Sequence, residues 1–304
     1  MAFPHDFRGI QPNTGPIRRC HGRLVRVRPS GNVWAVSDLH VSYEENSELI
    51  RRLRPEREDD WLIIAGDVGE TVAQLEWTLD ELGRHFSTLI WVPGNHELWT
   101  TRDDPDRSRG EVRYHRLVEV CRSRGVLTPE DSFPVWEGDR EPVVIAPLFL
   151  LYDYTFLPRG AHTPEEGMAA ARAAGVVCSD EYLLHPEPYA SRADWCAARL
   201  AETKPRLAEL GGARTVLVNH WPLVRQSTRV LRHPEFAQWC GTEATADWHR
   251  EFHAEAVVYG HLHLPRTTVY DGVRFEEVSV GYPHEWRRQT FRPQGWLRKI
   301  LQPR

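Results

Sequence analysis

Hydrophobic residues recur along the chain in short continuous runs, and each run stops at glycine, proline or polar residues. Runs of four or five apolar residues bounded in this way are typical of strands that are buried on both faces of a parallel sheet. The pattern predicts five such strands, at residues 33–36, 61–65, 88–92, 215–218 and 256–259.

Amphipathic segments follow the first two of these strands. Leu49, Ile50 and Leu53 form an apolar stripe at helical spacing within residues 44–54, and residues 71–86 have the same periodicity. Strand, polar loop and helix therefore alternate, which indicates a parallel sheet covered by helices. The loops that follow parallel strands lie at one edge of the sheet.

Two further strand signals lie outside this repeating pattern. The dipeptide Asp271-Gly272 separates residues 267–270 from residues 273–280, which is a strong signal for a two-residue β-hairpin. Residues 23–28 alternate between apolar and charged side chains, which predicts a half-exposed strand near a sheet edge.

The loops after the five predicted strands carry side chains that commonly bind metal ions. Each residue alone is better explained as a turn residue or an isolated histidine, but the recurrence at five strand ends favours a shared site. Asp38 and His40 are two positions apart, so extended backbone would direct both side chains to one face. The candidate ligands are Asp38, His40, Asp67, Asn95, His220, His261 and His263. Seven nitrogen and oxygen ligands are too many for one ion and suit two divalent ions that share a carboxylate.

The order and spacing of these residues resemble the calcineurin-like metallophosphoesterase family. The resemblance covers residues 33–282 and rests on five motifs: Asp38-x-His40, Gly66-Asp67, Gly94-Asn95-His96-Glu97, His220 and Gly260-His261-x-His263. It implies an α/β fold, a four-layer α/β/β/α sandwich with mixed sheets flanked by helices. It also implies that Asp38, His40, Asp67 and His263 hold one metal ion, and that Asp67 as a bridge holds the other with Asn95, His220 and His261.

The resemblance further implies a dinuclear metal-dependent hydrolase, in which a metal-bridging hydroxide attacks a phosphate ester. His96 would supply a proton to the leaving group, because it is adjacent to the ligand Asn95 without being a ligand itself. Glu70 is either the carboxylate that orients His96 or a carboxylate at a helix N-terminus. The donor set accepts manganese, iron, zinc or magnesium, of which manganese and iron are favoured.

The substrate prediction is a small phosphorylated molecule, with a phosphomonoester preferred to a phosphodiester. The chain does not follow Gly66-Asp67 with the Asp-Arg-Gly sequence of the Ser/Thr protein phosphatases, which argues against that class. Two alternatives stay open. One is a phosphodiesterase for cyclic nucleotides or nucleic acid, and the other is a non-catalytic scaffold that binds metals.

Length and spacing predict a single domain over residues 1–304 with an insertion. The spacing between successive strand-end motifs grows from about 30 residues to more than 100 before His220, so a cap-like segment is expected at about 99–213. Its aromatic residues either enclose the substrate or pack the insertion itself. Residues 284–304 form a basic, aromatic tail, for which packing against the domain is favoured over contact with nucleic acid or a partner.

Composition excludes several other functions. The formal charge of −5 and the pI near 6.3 provide no basic surface for nucleic acid or an anionic membrane. Five cysteines without a Cys-x-x-Cys pair suggest neither a disulfide framework nor a thiolate zinc site. The longest apolar run, residues 143–152, is too short to span a bilayer, and residues 1–16 lack the apolar region of a signal peptide. These features predict a cytoplasmic protein, while the oligomeric state stays open.

Overall fold

Two β-sheets dominate the part of the chain that the computed structural model describes, residues 31–138, 141–287 and 295–303. Within these residues, one sheet has four strands in the order β10-β1-β2-β3, and the other has six in the order β4-β5-β6-β7-β9-β8. The strands are β1 Val33–Val36, β2 Trp61–Ile64, β3 Thr88–Trp91, β4 Val135–Trp136, β5 Val143–Pro147, β6 Arg214–Val218, β7 Ala254–Tyr259, β8 Arg266–Tyr270, β9 Val273–Glu277 and β10 Arg298–Leu301.

The five strands predicted from apolar runs are all present, and each pairs in parallel with at least one neighbouring strand. Strands β1, β2 and β3 pair in parallel in the first sheet, and β5, β6, β7 and β9 do so in the second. Strands β8 and β9 form the predicted antiparallel hairpin, in which Asp271 and Gly272 have φ of 51° and 80°. Positive φ at both positions fits a tight hairpin turn. The predicted strand at residues 23–28 lies outside the described residues.

The two sheets pack face to face, and helices cover their outer surfaces. Alternate side chains of most strands share one apolar core between the sheets, including Ile63 and Ile90 from the first sheet and Val216 and Val258 from the second. The remaining side chains of the strands contribute to two further cores under the helices. This alternation produces the predicted four-layer α/β/β/α sandwich.

The helices agree with the predicted amphipathic segments, although their ends differ. Helix α1 ends at Ile50, whereas the apolar stripe predicted a helix to residue 54; Leu53 is buried, but it lies in an irregular segment after the helix. The helices are α1 Glu44–Ile50, α2 Val72–Leu82, α3 Asn95–Leu98, α4 Gly110–Ser123, α5 Pro164–Ala173, α6 Asp180–Leu183, α7 Arg192–Ala208, α8 Trp248–Glu251 and α9 Pro283–Trp286, with 3₁₀ helices at Arg225–Val230, Pro234–Trp239 and Glu243–Thr245.

Backbone hydrogen bonds join the two sheets at the edge where the parallel strands end. The amide of Ser37, which follows β1, donates to the carbonyl of Val278, which follows β9, at 3.1 Å. The amides of Val280 and Gly281, which also follow β9, donate to the carbonyls of Ser37 and Asp38 at 2.8 and 3.0 Å. The strand-end loops of both sheets are therefore held against each other.

The predicted insertion and tail both contain sheet strands. Residues 99–213 include β4 and β5, and β5 pairs with β6 inside the second sheet, while the domain boundaries stay a prediction. Within the predicted tail, β10 pairs antiparallel with β1, and residues 288–294 lie outside the described residues. No helix in the described part of the chain is both long and apolar enough to span a membrane.

Candidate metal centre

All seven predicted ligands converge where the two sheets meet. Metal-binding atoms of the acidic and histidine ligands lie within 4.8 Å of one another in two groups, which share Asp67. The first group is Asp38, His40, Asp67 and His263, and the second is Asp67, His220 and His261. The Oδ1 atom of Asn95 lies 3.2 Å from His220 Nε2 and 3.1 Å from His261 Nδ1, which places the amide beside the second group.

The backbone of these loops is left-handed at five of the seven positions. The φ angles are 54° at Asp38, 42° at His40, 53° at Asp67, 69° at His261 and 54° at His263. The prediction that Asp38 and His40 reach one site from extended backbone is therefore wrong in its geometry, although the two side chains do converge. Non-glycine residues seldom adopt this conformation, and clusters of such residues are characteristic of functional sites.

Two glycines allow the loops to approach each other closely. A Cβ atom on Gly94 would lie 2.1 Å from Oδ1 of Asp67, and one on Gly260 would lie 2.2 Å from Oδ2 of Asp38. Any larger residue would therefore displace a carboxylate of the cluster. This contact explains the glycine before Asn95 and the glycine before His261 in the sequence motifs.

Neighbouring groups fix the orientation of three ligands. The Nδ1 atom of His263 lies 2.7 Å from a carboxylate oxygen of Glu285, and the Nδ1 atom of His220 lies 2.8 Å from the carbonyl oxygen of Ala65. In both rings Nδ1 thus carries a proton, and Nε2 faces the cluster, where a bound cation would replace any proton on that nitrogen. The hydroxyl of Ser279 donates to Oδ2 of Asp38 at 2.7 Å.

Glu97 and Asp180 support the site without being candidate ligands. The carboxylate of Glu97 accepts hydrogen bonds from the backbone amides of Asp67, Val68 and Gly94 at 2.9, 2.9 and 3.0 Å. Oδ1 of Asp180 accepts hydrogen bonds from the Asn95 amide at 3.0 Å and from the indole of Trp99 at 2.7 Å. Glu97 belongs to the Gly-Asn-His-Glu motif, but the sequence alone does not indicate its structural role.

Asp180 and Glu285 were not identified from the sequence at all, because nothing around them marks a site. Asp180 lies 85 positions from Asn95 along the chain, and Glu285 lies 22 positions from His263. Only the folded structure brings each carboxylate to its partner.

Electrostatics at the cluster favour bound cations. Burial would raise the pKa of Asp38, but the imidazoles of His263 and His220 keep it below its ordinary value. Burial would lower the pKa of His220, but the Asp67 carboxylate raises it to about 9. Carboxylates that stabilise a protonated histidine so strongly create a negative potential at which a divalent cation would also be stabilised.

The remaining imidazoles keep their lone pairs for coordination. Burial lowers the pKa of His261 to about 3 and lowers that of His40 well below its ordinary value, so both rings are neutral. The Nε2 atom of His261 is also buried without a hydrogen-bond partner among the described residues. A set of buried carboxylates, an amide oxygen and neutral imidazoles therefore fits two divalent cations of hard or borderline character.

His96 lies beside the cluster, as the sequence predicted, and contacts Glu70. Its Nε2 atom is 3.8 Å from Oδ2 of Asp67 and 3.4 Å from the hydroxyl of Tyr282, while Nδ1 is 3.4 Å from a carboxylate oxygen of Glu70. Burial would lower the pKa of His96, but the carboxylates of Asp67 and Glu70 raise it. The Glu70 side chain thus reaches His96, although 3.4 Å is long for a hydrogen bond.

Aromatic rings pack against the imidazoles and restrict their movement. The ring of Tyr282 stacks on that of His40 with centroids 4.4 Å apart, and the indole of Trp99 lies 3.7 Å from the ring of His96. The ring of Phe236 stacks on that of His261 at 5.8 Å. These contacts exclude water from much of the cluster and hold its side chains in place.

Comparisons with known proteins identify the family and agree with the fold. The family model described as calcineurin-like phosphoesterase matches residues 31–265. The [Acyl-carrier-protein] phosphodiesterase PptH of Mycobacterium tuberculosis (strain ATCC 25618 / H37Rv) is 55% identical over 270 residues, which cover 88% of this chain and 83% of that protein. The crystal structure of the phosphopantetheinyl hydrolase PptH from Mycobacterium tuberculosis is 54% identical, with a TM-score of 0.87, and the match covers 90% of this chain and 97% of the other.

Proposed function

The chain belongs to the calcineurin-like phosphoesterase family, and we propose that it hydrolyses the phosphodiester through which a phosphopantetheine group is attached to an acyl carrier protein. The support for this substrate is a relative that is 55% identical over 88% of the chain and is named as an acyl-carrier-protein phosphodiesterase. That name does not support the preference for a phosphomonoester, or for a small molecule, that we drew from the sequence. The proposed substrate is a diester carried by a protein.

We assign the seven candidate ligands to two cation sites that share Asp67. The first site comprises Asp38, His40, Asp67 and His263, and the second comprises Asp67, Asn95, His220 and His261. The convergence of these side chains is the observation that supports hydrolysis of a phosphoester, because Asp67 belongs to both groups and could bridge two ions. Two divalent cations would lower the pKa of a water molecule and neutralise charge on the phosphoryl oxygens. Manganese and iron stay the favoured ions.

We assign His96 the role of proton donor to the oxygen of the leaving group. Its Nε2 atom faces the ligand cluster at 3.8 Å from Oδ2 of Asp67. On the other side of the ring, Glu70 lies 3.4 Å from Nδ1, so its carboxylate favours a proton there and holds the imidazole in one orientation. The Tyr282 hydroxyl, 3.4 Å from Nε2, limits rotation of the ring in the other direction.

The test uses a phosphopantetheinylated acyl carrier protein and protein reconstituted with manganese, in water enriched in oxygen-18. Mass spectrometry of the intact carrier protein should show loss of the phosphopantetheine group. The heavy oxygen should appear in the phosphate group of the released phosphopantetheine, because water attacks phosphorus and the bond from phosphorus to the carrier-protein oxygen breaks. The variant His96→Asn should be strongly impaired. The matched variant His85→Asn, at the other end of β3, should retain activity, since His85 precedes the strand and lies at the opposite edge of the sheet.

Two model substrates separate the competing hypotheses. Bis-p-nitrophenyl phosphate is a diester, and p-nitrophenyl phosphate is a monoester, so the ratio of their kcat/KM values reports the preference of the site. Failure to cleave the carrier protein, together with faster hydrolysis of the monoester, would contradict the proposal and restore the phosphomonoesterase hypothesis. Two bound ions with no hydrolysis of any substrate would instead favour the non-catalytic scaffold.

A further inference from the structure

A cleft with an arginine rim lies close to the metal centre. Its volume is about 420 Å³, and it is formed by segments that are distant in the sequence. We call it the arginine cleft, after the three arginines at its rim: Arg159, Arg225 and Arg229. Four apolar side chains, Leu157, Pro158, Pro234 and Ala237, line the cleft together with Gln226, Thr228 and Glu243.

The positive charge of this cleft is largely uncompensated. Arg159 and Arg229 are exposed, and neither forms an ion pair or a side-chain hydrogen bond within residues 31–138, 141–287 and 295–303. Arg225 donates to the carbonyl oxygen of Leu157 and lies 3.9 Å from a carboxylate oxygen of Glu243. Three arginines against one glutamate leave a local net charge of about +2 on a protein whose formal charge is −5. This local excess marks a surface that attracts anionic groups.

One short helix separates the arginine cleft from the metal centre. Pro234 and Ala237 of the 3₁₀ helix Pro234–Trp239 line the cleft. Phe236 of the same helix stacks on the ring of His261, with centroids 5.8 Å apart. The cleft and the ligand cluster are therefore on neighbouring faces of one structural element, about one helix diameter apart (~10 Å). A partner bound in the cleft would stand beside the reacting group.

We propose that the arginine cleft docks a negatively charged face of the carrier protein whose phosphodiester the metal centre hydrolyses. This inference rests on the proposed function, because only a protein-borne ester brings a second surface to be recognised. Guanidinium groups pair with carboxylates in bidentate geometry, and the apolar lining suits the alkyl side chains between the acidic residues of such a face. A small diester presents no such face and does not need the cleft.

The test compares steady-state kinetics on two substrates for the double variant Arg159→Glu/Arg229→Glu. These residues have no partners in the described structure, so the substitution should leave the fold intact. The control Arg52→Glu/Arg84→Glu makes the same change in net charge; Arg52 follows α1 and Arg84 follows α2, at the opposite edge of the sheet from the metal centre. The substrates are a phosphopantetheinylated acyl carrier protein and bis-p-nitrophenyl phosphate.

We expect the KM for the carrier protein to rise about tenfold or more in the cleft variant, because two attractive contacts become repulsive. The kcat/KM for bis-p-nitrophenyl phosphate should stay within about twofold, and the control variant should match the wild type on both substrates. The wild-type KM for the carrier protein should also increase with ionic strength, and this dependence should weaken in the cleft variant.

Three results overturn the proposal, and they differ from one another. An unchanged KM for the carrier protein in the cleft variant, with normal wild-type turnover, rejects the docking surface but leaves the proposed function standing. An equal decrease in kcat/KM for both substrates means that the substitutions disturb the metal centre and do not affect the binding of a partner. Wild-type protein that hydrolyses bis-p-nitrophenyl phosphate but not the carrier protein rejects the proposed substrate and the docking surface together.

Discussion

The carboxylate of Asp180 should control the affinity of one of the two cation sites. It is fully buried, and its Oδ1 atom accepts hydrogen bonds from the Asn95 amide at 3.0 Å and from the Trp99 indole at 2.7 Å. The first bond turns the amide so that Oδ1 of Asn95 faces His220 and His261, at 3.2 and 3.1 Å. Loss of Asp180 would therefore release a ligand.

The magnitude follows from the groups that Asp180→Ala leaves unpaired. Asn95 and Trp99 are 5% and 8% exposed, so both donors would stay buried without an acceptor. Each costs about 1–3 kcal/mol, which predicts a decrease of about 2–6 kcal/mol in the free energy of unfolding. Loss of a partner that orients a ligand typically lowers metal affinity by about 10–100-fold.

The variant Asp180→Asn separates the hydrogen bonds from the charge. An asparagine keeps an oxygen that accepts both bonds, so it should retain most of the stability and of the metal affinity. Burial raises the pKa of Asp180, which shows that the charged form is disfavoured there, and the neutral amide removes that cost. Urea unfolding and metal analysis after equilibrium dialysis against manganese measure the two effects.

A second variant assigns the effect to one site. Glu285 lies 2.7 Å from Nδ1 of His263, so Glu285→Ala should weaken the other ion, which His263 holds in our assignment. At an intermediate manganese concentration, each single variant should retain one ion and the double variant should retain none. A double variant that still binds one ion would mean that both carboxylates serve the same site, and wild-type affinity in Asp180→Ala would refute the reasoning about Asn95.

Four further predictions concern the remaining parts of the site. His96→Ala should lower kcat by about 10²–10⁴-fold while two ions stay bound, as kinetics and metal analysis on the same sample would show. Glu97→Ala should lower the free energy of unfolding in urea by about 3 kcal/mol or more, because three buried backbone amides lose their acceptor; an unchanged midpoint would contradict this. Gly94→Ala should abolish metal binding, because its Cβ would lie 2.1 Å from Oδ1 of Asp67, whereas Gly212→Ala, with no atom within 4 Å, should bind two ions. Removal of the ions by a chelator should lower Tm, since ligands at about 1,000 times their Kd stabilise the folded state by about 4 kcal/mol each; an identical Tm with and without ions would exclude coupling between the cluster and the fold.

The strand ends could be predicted from the sequence because their signal is local. A buried parallel strand is a short apolar run, and the residue after it begins the loop, so Asp38, Asp67, Asn95 and His220 are placed by pattern alone. Their convergence then follows from the common direction of parallel strands. Strand β10 was not predicted for the opposite reason. Arg298 and Lys299 occupy the first half of the strand, so no continuous apolar run marks it in the sequence. In the structure the Lys299 ammonium lies 4.6 Å from the centre of the Trp34 ring, and the following residues are buried.

The substrate class could not be predicted in the same way. In our proposal the ligand cluster acts on a phosphoryl group, and that group is present in monoesters and diesters alike. The preference for a compact monoester rested on the complete ligand set and on an insertion at residues 99–213 that contains aromatic, histidine and arginine residues. Aromatic residues of this segment, such as Phe149 and Trp195, are buried in the helical core. Discrimination between substrates therefore depends on surfaces beyond the cluster, such as the arginine cleft, which leave no local pattern in the sequence.

The left-handed backbone of the loops also could not be predicted from residue patterns. Asp38 and His40 adopt positive φ because their amides donate to the carbonyls of Gly66 and Asp67, at 2.9 and 3.1 Å, and these bonds exist only after β1 and β2 have paired. Left-handed backbone costs about 1–2 kcal/mol for each non-glycine residue, so five such residues cost about 5–10 kcal/mol. That sum is comparable to the whole stability of a typical domain. The loops must therefore be stabilised by the sheets that hold them and by the cations that their side chains would bind. Removal of the ions should for this reason lower the free energy of unfolding of the whole domain.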